Sequence, residues 1–296
     1  MGTSTTVRRI TVLRTGPLTT VQDPGRPGMA SLGVSPSGAA DPRSHALGNR
    51  LVRNPEDAAT LETTFGGLSI RVHDTVLFAV TGAPVRATVD GRPVASNSPT
   101  YARAGQTLTL DAPTRGVRTY LAIAGGITVP PVLGSRSTDM LSGLGPVPVH
   151  EGDTLPLGPP SGLWPNVDVA PTAPISQAPT MTIRPGPRDD WFLPDAVETL
   201  TREAYRVSSN SNRVGVRLEG APLLWRRDTQ LPPEGMVTGA LQVPPSGMPI
   251  LFLADHPVTG GYPVIAVVTS QDLPVAAQLA PGTTVRFRLG LVRSIR

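Results

Sequence analysis

The sequence contains neither cysteine nor lysine, so all 26 of its Lys-or-Arg positions are arginine. The absence of cysteine excludes disulfides, thiolate nucleophiles and cysteine-ligated zinc. The absence of lysine excludes Schiff-base chemistry and the phosphate-binding loop that ends in Gly-Lys. Arginine is a poor general base, but its guanidinium binds a carboxylate or phosphate through two parallel hydrogen bonds. We therefore expect recognition of small anions by arginine.

Long apolar runs and clustered histidines are also missing. No run approaches the roughly 18 apolar residues of a membrane span, and the first residues lack a secretory hydrophobic region, so we expect a cytoplasmic protein without membrane contact. The four histidines lack the spacing of zinc ligands, which predicts no metal site. A net charge of +4 with scattered arginines predicts no nucleic-acid binding.

What the sequence does contain is 31 glycines and 34 prolines, with 39% hydrophobic residues, which indicates a folded, turn-rich and mostly β chain. Its 296 residues are enough for two domains. The Pro-rich stretch 158–180 cannot be a core strand. We predict an N-terminal domain at 1–157, a linker or crossover at 158–180, and a C-terminal domain at 181–296.

A few local elements have clear signatures. VRATVDGRPV (85–94) predicts a hairpin with Asp90-Gly91 as its turn. DPRSHALGNRLVRN (41–54) predicts a helix capped by Asp41, with Ala46, Leu47, Leu51 and Val52 as its apolar stripe. Short helices are expected within 189–205 and 271–282, the second capped by Asp272.

The loop QDPGRPGMASLGVSPSGAAD (22–41) is the first candidate site. Its glycines let backbone approach a ligand closely, and the backbone N–H groups before the Asp41 helix favour an anion. The candidate residues are Gln22, Asp23, Arg26, Ser37 and Gly38, with Arg26 as a carboxylate clamp. The structural alternative is a tight crossover in which Asp23 and Asp41 only cap turns.

Two further segments are candidates. In LGSRST (133–138), Arg136 lies between hydroxyl residues, one of which is Ser137. This pattern is typical of an anion-binding site and equally of a polar turn. ADHPVTGGYP (254–263) contains Asp255 and Tyr262, and its Gly260-Gly261 pair could present N–H donors to an oxyanion. The alternative is a hairpin loop with a packed tyrosine. The sequence contains no GxSxG motif, so it does not indicate a serine hydrolase with that motif.

Several segments, taken together, carry a family resemblance. They are residues 20–62, YLAIAGGI (120–127), LGSRST (133–138), IRPGPRDDWF (183–192), SNRVGVRLEG (211–220), residues 241–268 and SQDLPVAAQLAPG (270–282). In this order they closely resemble the family of the bacterial 5-oxoprolinase C subunit. That family is also called allophanate hydrolase subunit 2, or the biotin-dependent carboxyltransferase-like family.

The resemblance implies two cyclophilin-like β-barrel domains with a few short helices. It also implies a hetero-oligomer with a B-type subunit protein and a third, A-type subunit protein. Such a complex binds ATP and uses it to open 5-oxo-L-proline to glutamate. The chain would then be a hydrolase subunit that acts on the C–N bond of a cyclic or linear amide, active only with its partners.

Two alternatives follow from relatives of the family. One is a carboxyltransferase subunit that moves a carboxyl group from biotin to a urea-like amide, with biotin on a separate carrier because this chain has no lysine. The other is a non-catalytic regulatory subunit that antagonises a kinase inhibitor.

In the main interpretation, Arg26 and Arg136 hold carboxylate or phosphate oxygens, and Asp23, Asp255 or Tyr262 transfers protons. Arg213 is a further substrate-binding candidate. Asn212 precedes it where the family commonly has aspartate, and Ala40 stands where the family commonly has methionine. Asn212 removes a negative charge beside Arg213.

Overall fold

The computed structural model describes residues 8–163, 165–227, 229 and 231–290. The chain divides into two compact units. The first unit takes the chain up to Arg26, Ser37–Asp139 and Gly143–Pro174, and the second takes Pro27–Pro36, Met140–Ser142 and the chain from Ile175 onward. The chain passes from the first unit to the second for the last time inside the Pro-rich segment 158–180. The composition of the two short segments, 27–36 and 140–142, does not indicate that they belong to the second unit.

The first unit is built from short strands joined by glycine-containing turns. They are β1 (Arg9–Thr15), β2 (Leu18–Gln22), β3 (Thr60–Thr64), β4 (Leu68–Val72), β5 (Val76–Gly82), β6 (Ala87–Val89), β7 (Arg92–Val94), β8 (Thr100–Ala102), β9 (Thr107–Leu110), β10 (Arg118–Ile123) and β11 (Thr154–Pro156). One sheet has the order β11-β1-β4-β9-β6-β7, and the other has the order β2-β3-β10-β5-β8. Ile10, Ile70, Leu61 and Leu121 from the two sheets share one buried core.

The predicted hairpin is confirmed. β6 and β7 pair antiparallel with Val89 opposite Arg92. Asp90 and Gly91 form the turn between them with φ values of 47° and 77°, the left-handed conformation that a two-residue hairpin turn requires.

Helix α1 (Pro42–Leu51) is also confirmed. Asp41 caps it by accepting hydrogen bonds from the backbone N and the Oγ of Ser44, at 3.0 and 2.7 Å. Leu47, Leu51 and Val52 of the predicted apolar stripe pack in one apolar cluster, whereas Ala46 is half-buried and the polar residues His45 and Asn49 are buried. The helix lies against β5 and β10, where a Cβ at Gly48 would lie 3.1 Å from the Ala122 Cβ.

The second unit contains a closed barrel. Its strands are β12 (Thr180–Pro185), β13 (Tyr205–Val207), β14 (Gly215–Glu219), β16 (Ala240–Gln242), β17 (Ile250–Phe252), β19 (Val264–Val268) and β20 (Thr284–Leu289), with β15 (Glu234–Gly235) and β18 (Thr259–Gly260) forming a separate two-stranded ribbon. The order β12-β19-β16-β17-β14-β13-β20 closes through the parallel pair β12–β20. Met181, Ile183, Leu241, Leu251 and Phe287 belong to its core.

Short helices complete the second unit. These are α2 (Ala196–Arg202), α3 (Leu273–Ala277) and the 3₁₀ turns Ala30–Leu32 and Asp189–Trp191. The capping role predicted for Asp272 was wrong, because its carboxylate makes no hydrogen bond to the helix end and accepts the backbone N–H of Thr182 at 2.6 Å instead. The mostly β fold class with a few short helices is confirmed.

The Pro-rich crossover lies on the first unit along part of its length. The Ala170 N–H donates to the Asn97 carbonyl at 2.8 Å, and the Ser98 hydroxyl donates to the Asp168 carbonyl. Asn97 and Ser98 both lie in the turn between β7 and β8. Pro159, Pro160, Pro171 and Pro174 of this segment are exposed, whereas Pro179, next to β12, is buried.

Candidate functional site

Asp23 is the centre of a buried hydrogen-bond network in the first unit. Its Oδ1 accepts from the Gly25 N–H at 2.8 Å and from the Ser135 and Ser137 hydroxyls at 2.6 Å each. Its Oδ2 accepts from the Arg136 N–H at 2.6 Å. The carboxylate thereby joins the segment after β2 to the segment 135–137. Hydrogen bonds to a charged group contribute about 1.5–3 kcal/mol each, so this network fixes the conformation of both segments.

Gln22 and Arg26 lie in the same region and are buried. The Gln22 amide donates to the Thr138 carbonyl at 2.9 Å, and Arg26 Nη2 donates to the Ser137 carbonyl at 2.6 Å. Gln22 Oε1 and Arg26 Nη1 have no hydrogen-bond partner within the described part of the chain. Buried polar atoms of this kind are rare and call for an explanation. The role of Arg26 as a carboxylate clamp stays a prediction.

Ser37 and Gly38 form a tight turn with φ values of 50° and 94°. A Cβ at Gly38 would lie 2.7 Å from the carbonyl carbon and oxygen of Pro24, so glycine is required by this close approach. Three N–H groups close to the start of α1 already have acceptors. Ala40 N donates to Glu62 Oε2, Asp41 N to the Tyr120 hydroxyl, and Ser44 N to Asp41 Oδ1. These three groups are not available to an anion, and the substrate-binding role of Ser37 and Gly38 stays a prediction.

Arg136 and Ser137 follow each other but have different surroundings. Ser137 is fully buried against Asp23. Arg136 is half-buried, its Nε donates to the Val129 carbonyl at 2.8 Å, and the residue lines a cavity of about 330 Å³. Arg136 is thus a wall residue of this cavity, and Arg26 is not among the residues that line it.

Glu62, Tyr120 and Arg118 form a buried polar group that the sequence analysis missed. The Tyr120 hydroxyl donates to Glu62 Oε2 at 2.6 Å, and Arg118 Nε lies 3.5 Å from Glu62 Oε1. Burial and the nearby carboxylates Glu62 and Asp41 hold the pKa of Tyr120 well above its usual value. Because Tyr120 also accepts the Asp41 N–H, this group positions the start of α1.

In the second unit, Arg213 and Asp255 form a buried ion pair. Arg213 Nε lies 2.8 Å from Asp255 Oδ2, and Nη2 lies 3.0 Å from Oδ1. The Met140 N–H also donates to Oδ2 at 3.1 Å. Asn212 accepts the Val214 and Gly215 N–H groups. Asp255 thus supplies the negative charge beside Arg213, from a position 42 residues away.

Gly260, Gly261 and Tyr262 are the remaining candidates. Gly260 lies in β18 opposite Glu234 of β15, and the side-chain amide of Gln242 donates to the Tyr262 carbonyl at 3.1 Å. The Tyr262 ring is 43% exposed and lies 6.3 Å from the ring of Trp225. Its hydroxyl makes no hydrogen bond among the described residues. This leaves Tyr262 accessible for proton transfer, while the oxyanion role of the glycines stays a prediction.

The ribbon beside Tyr262 carries an ion pair that the sequence analysis also missed. Arg188 Nε donates to both carboxylate oxygens of Glu234, at 2.8 and 3.0 Å. Hydrogen bonding to Glu234 raises the pKa of Arg188. Arg188 lies within IRPGPRDDWF (183–192), one of the segments that carry the family resemblance. Its partner Glu234 is 46 residues away and could not be predicted from that segment.

Within residues 8–163, 165–227, 229 and 231–290, no group of three or more histidine, aspartate or glutamate side chains could hold a metal ion. Over these same ranges, no helix has the length and apolar character needed to cross a bilayer.

The closed barrel and the two strand-rich units make this a mostly β protein. A family model described as "Carboxyltransferase domain, subdomain A and B" matches residues 32–289. The chain belongs to this family.

Two similar proteins share one name. The C subunit of 5-oxoprolinase from Escherichia coli K12 is 37% identical over 279 residues, covering 93% of this chain and 89% of that protein. The C subunit of 5-oxoprolinase from Haemophilus influenzae is 32% identical over 271 residues, covering 90% and 87%. The family resemblance found in the sequence is confirmed.

A solved structure of the K. lactis urea amidolyase superposes with a TM-score of 0.87 at 32% identity. The match covers 95% of this chain but only 18% of the urea amidolyase chain. The chain therefore spans about a fifth of that larger protein, and it is similar to one portion of it.

Proposed function

We propose that this chain is the C-type subunit of an ATP-dependent, amide-cleaving complex of 5-oxoprolinase type, located in the cytoplasm. The observation that supports this most is the 37% identity to the C subunit of E. coli 5-oxoprolinase over most of both chains. The complex would open 5-oxo-L-proline by adding water across its amide C–N bond, giving glutamate. ATP hydrolysis by the complex would drive the reaction, with A-type and B-type subunit proteins as partners.

In this proposal, the chain and a B-type partner together form the cleft for a small amide that carries a carboxylate. Arginine is the residue suited to a planar carboxylate, and Arg136 lies at the wall of a cavity. The backbone N–H of Arg136 is held by Asp23, which keeps this part of the wall in place before the substrate arrives.

The three proton-transfer candidates differ in how their polar atoms are engaged. The carboxylates of Asp23 and Asp255 accept several hydrogen bonds within their own units. The Tyr262 side chain is 43% exposed. We therefore assign proton transfer to the Tyr262 hydroxyl, and we assign the positioning of loops to Asp23 and Asp255.

The experiment is reconstitution with the A-type and B-type partner proteins, followed by measurement of glutamate and ADP formation from 5-oxo-L-proline and ATP. We expect Tyr262→Phe to lower kcat roughly 100-fold or more, the usual contribution of a positioned acid or base. The control is Tyr101→Phe, another exposed tyrosine. Unchanged kcat in Tyr262→Phe would remove Tyr262 from the mechanism, and no glutamate from the wild-type complex would overturn the proposed function.

A second candidate function is carboxyl transfer from biotin to a urea-like amide. The matching family description and the similarity to K. lactis urea amidolyase favour it. The chain has no lysine to carry biotin, so a separate carrier protein would be required. Carrier-dependent transfer of labelled bicarbonate to urea, without glutamate formation from 5-oxo-L-proline, would establish this second function instead.

A further inference from the structure

The first unit contains a cavity of about 330 Å³ beside the turn that follows α1. Its walls include residues 53–55 and 57–59, residues 125–128, and Arg136. Small-molecule sites in proteins typically range from about 300 to 1,000 Å³. We name this space the Arg53–Arg136 cavity. Its volume suits a ligand of the size of a single amino acid.

The charges on the walls favour an anion. Arg53 and Arg136 are its cationic wall residues, and Asp57 is its acidic one. The Nε of Arg136 is held by the Val129 carbonyl at 2.8 Å, and neither Arg53 nor Arg136 forms an ion pair with any described residue. The Nη groups of Arg136 and the whole guanidinium of Arg53 are therefore available to a ligand.

The backbone at Arg53 is the second observation. Arg53 has a φ of 59°, in the left-handed region that is unfavourable for residues with a Cβ. The chain here leaves α1, and the Arg53 N–H donates to the Arg50 carbonyl at 3.2 Å. Glycine is the usual residue at such a helix end. Unfavourable backbone conformations of this kind concentrate at functional sites, and here the residue that adopts one lines the cavity.

The cavity walls are held together independently of any ligand. The Gly125 N–H donates to Asn54 Oδ1 at 2.8 Å, and Asn54 Nδ2 donates to the Ile123 carbonyl at 2.8 Å. Asn54 thus joins the turn after α1 to the turn after β10. A site that is formed before binding loses less conformational entropy when the ligand arrives.

We propose that the Arg53–Arg136 cavity binds a small carboxylate that also carries an N–H group. Arg53 and Arg136 bind the carboxylate oxygens, and Asp57 accepts a hydrogen bond from the N–H. The choice of 5-oxo-L-proline as the probe rests on the proposed function, since this molecule has both groups.

The test is isothermal titration of the full chain alone, without partner proteins or ATP. We expect saturable binding of 5-oxo-L-proline and at least tenfold weaker binding of pyrrolidin-2-one, the same ring without the carboxylate. Arg53→Gln and Arg136→Gln should each weaken 5-oxo-L-proline binding at least tenfold. Arg43→Gln is the matched control, because Arg43 is an exposed arginine of α1 and should leave binding unchanged.

Arg53→Gly separates binding from folding. Glycine accepts the observed φ without strain, so this variant should keep its thermal midpoint and still lose binding. Equal binding of the two ring compounds, saturable binding of inorganic phosphate only, or full binding by Arg53→Gln would overturn the proposal. The titration measures binding without turnover, so it fails or succeeds independently of glutamate formation. Absence of 5-oxo-L-proline binding with intact glutamate formation would overturn this site alone. Binding without glutamate formation by the complex would overturn the proposed function alone.

Discussion

Asp23 connects two segments of the first unit through one carboxylate, which accepts hydrogen bonds from Gly25, Ser135, Arg136 and Ser137. An aspartate in this position acts through the backbone geometry that it enforces. Arg136 is a cavity residue, and its own backbone N–H is one of the groups that Asp23 holds. We therefore expect Asp23 to affect function by holding the backbone of Arg136 in position.

The first prediction concerns this network. Asp23→Asn replaces one acceptor oxygen by an N–H₂ donor that faces other donors, so it should lower the free energy of unfolding by about 2–3 kcal/mol. Urea denaturation measures this change. Ser135→Ala removes a single donor and should cost about 1 kcal/mol, which makes it the graded control. Equal stability of Asp23→Asn and the wild type would show that the carboxylate is not a structural centre.

His45 gives a second prediction at the residue scale, through pH. Burial is the largest influence on its imidazole and lowers the pKa of His45 below its ordinary value of 6.5, against the opposing effects of the Glu56 carbonyl and nearby carboxylates. The unfolded chain then binds more protons than the folded chain once the pH falls below about 6.5. Stability should therefore decrease as the pH falls from about 7.5 to about 5.5.

Urea denaturation at several pH values checks this. The contribution from His45 is at most about 1.4 kcal/mol per pH unit, and His45→Gln should flatten this part of the profile. His150→Gln, at an exposed histidine, should leave the slope unchanged. A profile for His45→Gln with the wild-type slope would contradict the role assigned to burial.

At the scale of elements, glycine turns differ in how much space a Cβ at the glycine would have. Gly38 and Gly91 both have positive φ values, 94° and 77°. A Cβ at Gly38 would lie 2.7 Å from Pro24 backbone atoms, whereas nothing lies within 4 Å of a Cβ at Gly91. The two positions therefore separate backbone strain from steric contact.

We predict that Gly91→Ala costs about 1–2 kcal/mol, the cost of a left-handed residue with a Cβ. Gly38→Ala should cost clearly more, because Pro24 must also move. Thermal unfolding of both variants provides the comparison. Similar losses at the two positions would mean that the segment after β2 yields easily, and it would weaken the case for a rigid loop next to Arg26.

Local elements were predictable where a few neighbouring residues determine the conformation. Asp90-Gly91 specifies a hairpin turn, and Asp41-Pro42 specifies a helix start. The buried Glu62 and the Arg213–Asp255 pair were not predictable, because their partners lie 58 and 42 residues away. The burial of polar residues on α1 was not predicted, for the same reason. Its buried His45 is satisfied by Thr60 and by the Glu56 carbonyl, and helical periodicity does not report such partners.

At the scale of the whole molecule, the family could be recognised from ordered segments, but the site could be predicted only in part. The loop residues Gln22, Asp23, Arg26 and Ser137 do lie together in the first unit. Arg53 was not predicted, since its importance depends on a φ value and a cavity that no local motif specifies. The chain segments 27–36 and 140–142 belong to the second unit, and composition gave no sign of this.

The most direct test of the account is glutamate formation from 5-oxo-L-proline and ATP by this chain with its A-type and B-type partner proteins. We predict activity that disappears when this chain is omitted, falls at least tenfold in kcat/KM with Arg136→Gln, and is unchanged with Arg43→Gln. Equal glutamate formation with and without this chain would contradict the central claim.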